Sequence, residues 1–282
     1  MKVAASLLMV FLSIQPGFSF QLKGDSWAQV KANKTGTVVL TYVETPAFVY
    51  RNEDKSLNGI CVDICTLFKD YVEKTYAVKI NYQWEGDGSN FKKFYESVKT
   101  GHNGVFGLGN ITIKPERQKE VLFTPPMIKN IALLVSHQSV ADVSTPANAA
   151  LIMKGFRAYV PKGSSHEPRM IDFKTQYVPD LQIVYVSSSF EALNKVLADP
   201  KSMCFQDVAL YWDYKQKGNP IKYHPIDNQA SEELAMIMPL DSDWKPLWDE
   251  FFAKGFKSGK LYQMSLVRHL GTEVVQMLKM AQ

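Results

Sequence analysis

Short apolar runs of strand length recur along the chain, separated by stretches whose apolar residues fall three and four apart. Thr37–Tyr42 reads as a buried strand, Ile60–Val72 as a helix, Val78–Trp84 as a second strand and Phe91–Val98 as a second helix. Another strand, Gly104–Leu108, ends ahead of Pro115, where a helix is expected to begin, since the first helical position is the one that tolerates proline's missing N–H. A second cycle opens with Ile131–Val135 and continues through strand Arg157–Val160, helix Glu167–Lys174, strand Gln182–Val186, helix Phe190–Leu197, strand Ser202–Phe205 and helix Val208–Lys215. Glu233–Met238 forms a last extended run, and helices fill the remainder. This alternation predicts an α/β fold with sheets covered by helices. Two such units, joined by extended segments near residues 128–136 and 230–238, predict two lobes between which the chain crosses twice. Such proteins hinge, and their ligands lie in the crevice outside the carboxyl ends of the strands, where helix N-termini point inward.

Composition narrows the setting. Met1-Lys2, the apolar stretch Val3–Ile14 and small residues up to Ser19 have the pattern of a secretory leader, residues 1–19, too short to span a membrane. No later run reaches the roughly 18 apolar residues a membrane helix requires, so an exported, soluble protein is expected. With 282 residues and 46% hydrophobic content, each lobe has material for its own core. A net charge of +4, spread along the chain, argues against nucleic acid as a partner and for a solvated lysine surface. Cys61 and Cys65 stand one helical turn apart in an apolar pattern and Cys204 lies in a strand; core packing is the expected role, with no metal and no redox cofactor.

Arg117 is the first candidate for chemistry. It falls in the first turn of the helix opened by Pro115, where a cation meets the positive end of the macrodipole, a cost of about 0.3–1 kcal/mol unless an anion compensates. Glu116, Glu120 or a bound anion each meet that requirement. Ser164 and Glu167 have capping-box spacing, and the same helix N-terminus offers free amides to an anion. Asp207 precedes a helix, the ordinary position of an N-cap. The five histidines fall at loops or helix ends and read as surface residues, so no catalytic arrangement is expected.

The stretch NITIKPERQKEVLFTPPM carries a resemblance, supported by TPAFVYRNEDKSLNGICVDICTLF, VPKGSSHE, FQDVALYW and FKSGKLYQMSLVRHLG. In that order the segments resemble the bacterial periplasmic solute-binding proteins of the polar amino-acid type, from about Thr37 to Gly271. The resemblance implies the type II architecture of two α/β lobes joined by two hinge strands: residues 36–131 in the first lobe, 132–234 in the second and 235–282 returning to the first. It further implies that Arg117 takes the α-carboxylate of a bound amino acid together with Thr112, Ser164 and the amide of Ser165. Asp207, with the carbonyl of Asn110, takes the α-ammonium.

Three positions depart from the family pattern. Asn110 stands for a glycine, Lys114 for the threonine that usually caps the helix, and Tyr42 for a second acidic group. Either Glu44, two residues on, replaces that acid, or the amine is held less tightly, or the ligand lacks an α-amine. Tyr42, Phe48 and Trp84 are expected as pocket walls or as core. The implied partners are a small amino acid or related carboxylate and the permease of an ABC-type importer, with the protein a monomer and without cofactor. Two other functions remain open on this fold: an exported cyclohexadienyl dehydratase, for which Glu44 is the one general acid to name, and a ligand-sensing binding protein.

Overall fold

A computed structural model describes residues 21–226 and 230–280; the expected leader lies outside them. Its principal strands are β1 (Thr35–Val43), β2 (Lys79–Gly88), β3 (Val105–Thr112), β4 (Ile128–His137), β5 (Arg157–Pro161), β6 (Gln182–Val186), β7 (Ser202–Asp207), β8 (Ile221–His224) and β9 (Ala230–Met238). The helices are α1 (Trp27–Asn33), α2 (Ile60–Tyr76), α3 (Phe91–Lys99), α4 (Pro115–Gln118) and α5 (Pro146–Ile152), then α6 (His166–Tyr177), α7 (Ser189–Ala198), α8 (Val208–Gln216), α9 (Lys245–Ala253) and α10 (Lys260–Met280). Gly271, with φ 80° and ψ 158°, breaks α10 into two.

One hydrogen-bonded path runs through a ten-stranded sheet in the order β6-β5-β7-β4-β9-β3-β1-β2, with β8 joining it on β4 and the short strand Leu122–Phe123 on β9. β1 pairs in parallel with β2 and β3, as β5 does with β6 and β7. The two parallel groups meet through β4 and β9. Ile128–Ile131 of β4 pair antiparallel with β9, whereas Ala132–Ser136 pair antiparallel with β7. Because β4 is covered along most of its length, its sequence is a nearly continuous apolar run rather than an alternating one. β3 extends past its expected end at Leu108, because its pairing with β9 continues to Thr112 opposite Leu234 after the apolar run has stopped.

Helix α2 buries Ile60, Cys61, Ile64, Cys65, Phe68 and Val72, the stripe that helical periodicity requires, against α9 and the sheet. The three cysteines are free and buried. Burial pushes the Cys61 and Cys204 thiols up to about 12 and raises that of Cys65. Iodoacetamide at pH 8 should therefore leave the native chain unmodified over an hour and label every cysteine once denaturant is added, a result read by intact mass; rapid native labelling would contradict the packing.

Two histidines expected at the surface are enclosed and structural. His224 accepts the Val143 N–H at Nδ1 (3.2 Å) and has Nε2 2.7 Å from the Ser136 hydroxyl; burial lowers its pKa to about 4, so it is neutral. His269 lies between the Tyr50 hydroxyl and Asp63, each 3.0 Å away, tying the loop after β1 to α2 and α10. Sequence position alone conceals this, because both rings are covered by segments distant in the chain.

Candidate functional site

Phe106 and Leu108 of β3 enter the main core and Ile111 a smaller cluster on the other face. The two-residue period of a strand then puts Asn110 and Thr112 on the Phe106 side, beyond the end of the apolar packing. Opposite them stands Asp207, the last residue of β7. It has N-cap backbone geometry but makes no side-chain cap bond. Its carboxylate turns to the hinge instead: Oδ1 accepts Asn130 Nδ2–H at 2.7 Å and Oδ2 accepts Asn110 Nδ2–H at 3.5 Å. His166 Nε2 lies 3.5 Å from Oδ1.

Asn130, on β4, is buried, and its cross-strand partner on β9 is Glu232. Glu232 Oε2 accepts the Thr112 hydroxyl at 3.5 Å. Arg117 Nη1 donates to the Thr112 carbonyl at 3.1 Å, with its guanidinium over the rings of Phe91 (5.4 Å) and Tyr95 (5.9 Å). Burial lowers the Arg117 pKa, against the fields of Tyr95, Glu232, Glu116 and Glu120. Glu120, one of its expected partners, is engaged elsewhere, by Lys99 at 2.7 Å and the Tyr95 hydroxyl at 3.0 Å. A polar row therefore runs from Arg117 through Thr112, Glu232, Asn130 and Asp207 to Asn110, across both hinge strands.

Helix α6 begins differently from its expected capping box. Ser165 is the N-cap, in right-handed helical conformation and without a side-chain cap bond, and the Glu167 carboxylate accepts the Gly163 N–H at 2.7 Å. The Ser164 hydroxyl and His166 Nδ1 are enclosed with no hydrogen-bond partner among the described residues. His166, at 5% exposure, is a third histidine that departs from the expected surface placement, since the first turn of α6 faces Asp207. Enclosed polar atoms of this kind cost free energy until a partner arrives.

Glu44, the acid expected from the loop after β1, is not free. Arg51 Nε donates to Glu44 at 2.7 Å, and the same guanidinium donates to the Tyr42 hydroxyl. Arg51 was not anticipated, because its pairing depends on a chain reversal rather than on a periodic spacing. Phe48, at 2% exposure, packs in the core, with its carbonyl accepting the Cys61 N–H at 3.0 Å. Gly59 (φ 125°) permits this contact, since a Cβ there would lie 2.4 Å from that carbonyl oxygen. Tyr42 is buried and meets Trp84 edge-on at 5.9 Å, and Trp84 is 38% exposed. Glu44 and Arg51 line a cleft of about 440 Å³ with Phe190, Asp213, Lys217 and Arg268; none of the polar row lines it. Among the described residues, no cluster of three His, Cys, Asp or Glu could hold a metal ion, and no helix is long and apolar enough to cross a membrane.

The sequence profile of bacterial extracellular solute-binding proteins, family 3, matches residues 37–266. No curated protein matches the chain in sequence. Solved structures do match its fold. An ABC uptake transporter substrate-binding protein from Streptococcus pneumoniae, with bound histidine, has a TM-score of 0.64 at 18% identity, over 88% of this chain and 97% of that one. A putative ABC-transporter binding component from Wolinella succinogenes, complexed with lysine, has a TM-score of 0.64 at 15% identity, over 85% and 98% of the two chains. An ancestral amino acid-binding protein, a precursor of cyclohexadienyl dehydratase, has a TM-score of 0.61 at 15% identity, over 86% and 98%. At such identities the likeness establishes the two-lobed α/β fold and nothing finer.

Proposed function

The chain belongs to the bacterial extracellular solute-binding proteins of family 3, and from that premise we propose that it captures a small amino acid or related carboxylate between its lobes for delivery to an ABC-type importer. The observation that carries this reading is the polar row linking Arg117, on α4 beside β3, to Asp207, on β7, through hinge residues. In the proposed complex the Arg117 guanidinium meets the α-carboxylate as a planar fork of donors, joined by Thr112, the Ser164 hydroxyl and the Ser165 amide. Asp207 receives the α-ammonium at Oδ2, the oxygen whose contact with Asn110 is long. Asn110 offers its carbonyl to the same ammonium. Groups from both lobes then grip one small molecule, and the closed form is favoured by its differential affinity for that ligand.

Capture requires no bond to be made or broken. The dehydratase reading needs a general acid, and Glu44 is instead engaged in an ion pair with Arg51. Tyr42 and Phe48 then support the site as scaffold behind that ion pair. Export through a leader at residues 1–19, a periplasmic location, a monomeric state and a permease partner complete the proposal. The switch in β4 pairing between Ile131 and Ala132 supports a first crossing there, with the second lobe taken as 132–234 and the return as 235–282.

The direct test is a thermal-shift screen of the leaderless protein against the common amino acids, small carboxylic acids, prephenate and arogenate. A ligand held at 100 times its Kd adds about 2.7 kcal/mol to the folded state, so its binding raises the melting temperature. No shift with any of them defeats the capture reading, and turnover of prephenate or arogenate replaces it with the enzyme.

A further inference from the structure

The polar row holds one more carboxylate than a zwitterion requires. Arg117 is matched by the ligand's α-carboxylate and Asp207 by its α-ammonium, which leaves Glu232. Glu232 is half-buried on β9, beside Asn130 across the strand pair, and its one hydrogen bond along the row is the long 3.5 Å contact from the Thr112 hydroxyl. Glu44 does not enter the balance, because Arg51 neutralises it within the same loop. A neutral amino acid would therefore leave Arg117, whose charge already acts on Glu232, shared between two carboxylates at the hinge, whereas a ligand bearing an additional cation would supply Glu232 with a counter-charge of its own.

We infer that Glu232 is a second ligand-binding carboxylate, presented by a hinge strand, that selects amino acids carrying an additional cationic group. This deepens the capture reading and rests on it. Glu232 reaches the row from β9, on the opposite side of β3 from β1 and from Tyr42, which stands for the family's second acid. Its neighbour Glu233 is exposed and points to the other face of β9, so the two glutamates differ in setting but not in chemistry.

Isothermal titration of the full chain without its leader tests the inference with L-arginine and L-citrulline, which have nearly the same shape but differ in side-chain charge. The expected result is an arginine preference of about tenfold or more, a difference of about 1.4 kcal/mol. Glu232→Gln should abolish that preference by weakening arginine and sparing citrulline, and Glu233→Gln should leave it intact. Equal affinities in the unaltered protein overturn the inference. So does a Glu232→Gln protein that binds both ligands more tightly, because Glu232 would then be only a competitor for Arg117. If neutral amino acids bind and arginine does not, Glu232 selectivity fails while capture stands. If no amino acid binds, agmatine, which lacks the carboxylate, separates the two ideas: Glu232-dependent agmatine binding keeps the acid's role, and its absence ends that as well.

Discussion

Replacing Arg117 by alanine should lower affinity for any α-carboxylate ligand by about a hundredfold or more, as expected when a charge-assisted, bidentate contact is lost from a partly desolvated site. The guanidinium is partly desolvated before ligand arrives, and its one hydrogen bond among the described residues is the Nη1 contact with the Thr112 carbonyl. Donors are thus left for a guest. Arg117→Lys keeps the charge but replaces the fork with a point donor, so it should recover only part of the affinity. Loss of the contacts over Phe91 and Tyr95 costs about 0.5–1 kcal/mol of stability, which moves the melting temperature of a chain this size by only a few degrees. Titration calorimetry beside a thermal melt separates the two effects. Unchanged affinity in a folded Arg117→Ala protein would remove Arg117 from the site.

The architecture was legible because its signals are local and periodic. Apolar runs marked β1, β4 and β9, and helical spacing marked α2, whose buried stripe ends at Val72 although the helix continues to Tyr76. The site was legible only in part. Arg117, Thr112, Asn110 and Asp207, which the motif segments had singled out as candidates, fall along one polar row at the hinge. Glu232 and Asn130 were missed, because each lies in a short polar stretch at the start of a hinge strand, Ser231-Glu232-Glu233 and Lys129-Asn130, and becomes specific only once β4 and β9 are known to pair. His166 was missed because a helix end normally reads as surface, whereas this one is covered by the strand end that presents Asp207. The proposed acid at Glu44 failed as a free group for a different reason. Its neutraliser, Arg51, approaches through a turn of the loop, and no spacing rule announces such a pair.

Replacing Phe68 by alanine should have the largest effect on stability, a loss of about 3–5 kcal/mol, because a fully buried aromatic leaves a cavity that its neighbours fill only in part. Phe68 lies on α2, stacked on Trp248 with ring centroids 3.7 Å apart and edge-on to Phe106, Trp244 and Phe251. Those rings come from β3, α9 and the residue capping α9, so one side chain joins the sheet to two helices. Denaturant unfolding should show the midpoint falling with little change in slope, and Phe68→Leu should lose much less by preserving most of the volume. Ligand affinity measured well below the transition should stay the same, since Phe68 touches none of the polar row. The nearest route from α2 to that row is two turns away, where Cys61 Sγ lies 3.6 Å from the Gly109 carbonyl beside Asn110. If affinity falls together with stability, the packing of α2 against β3 sets the position of Asn110, and lobe and hinge respond as one mechanical unit.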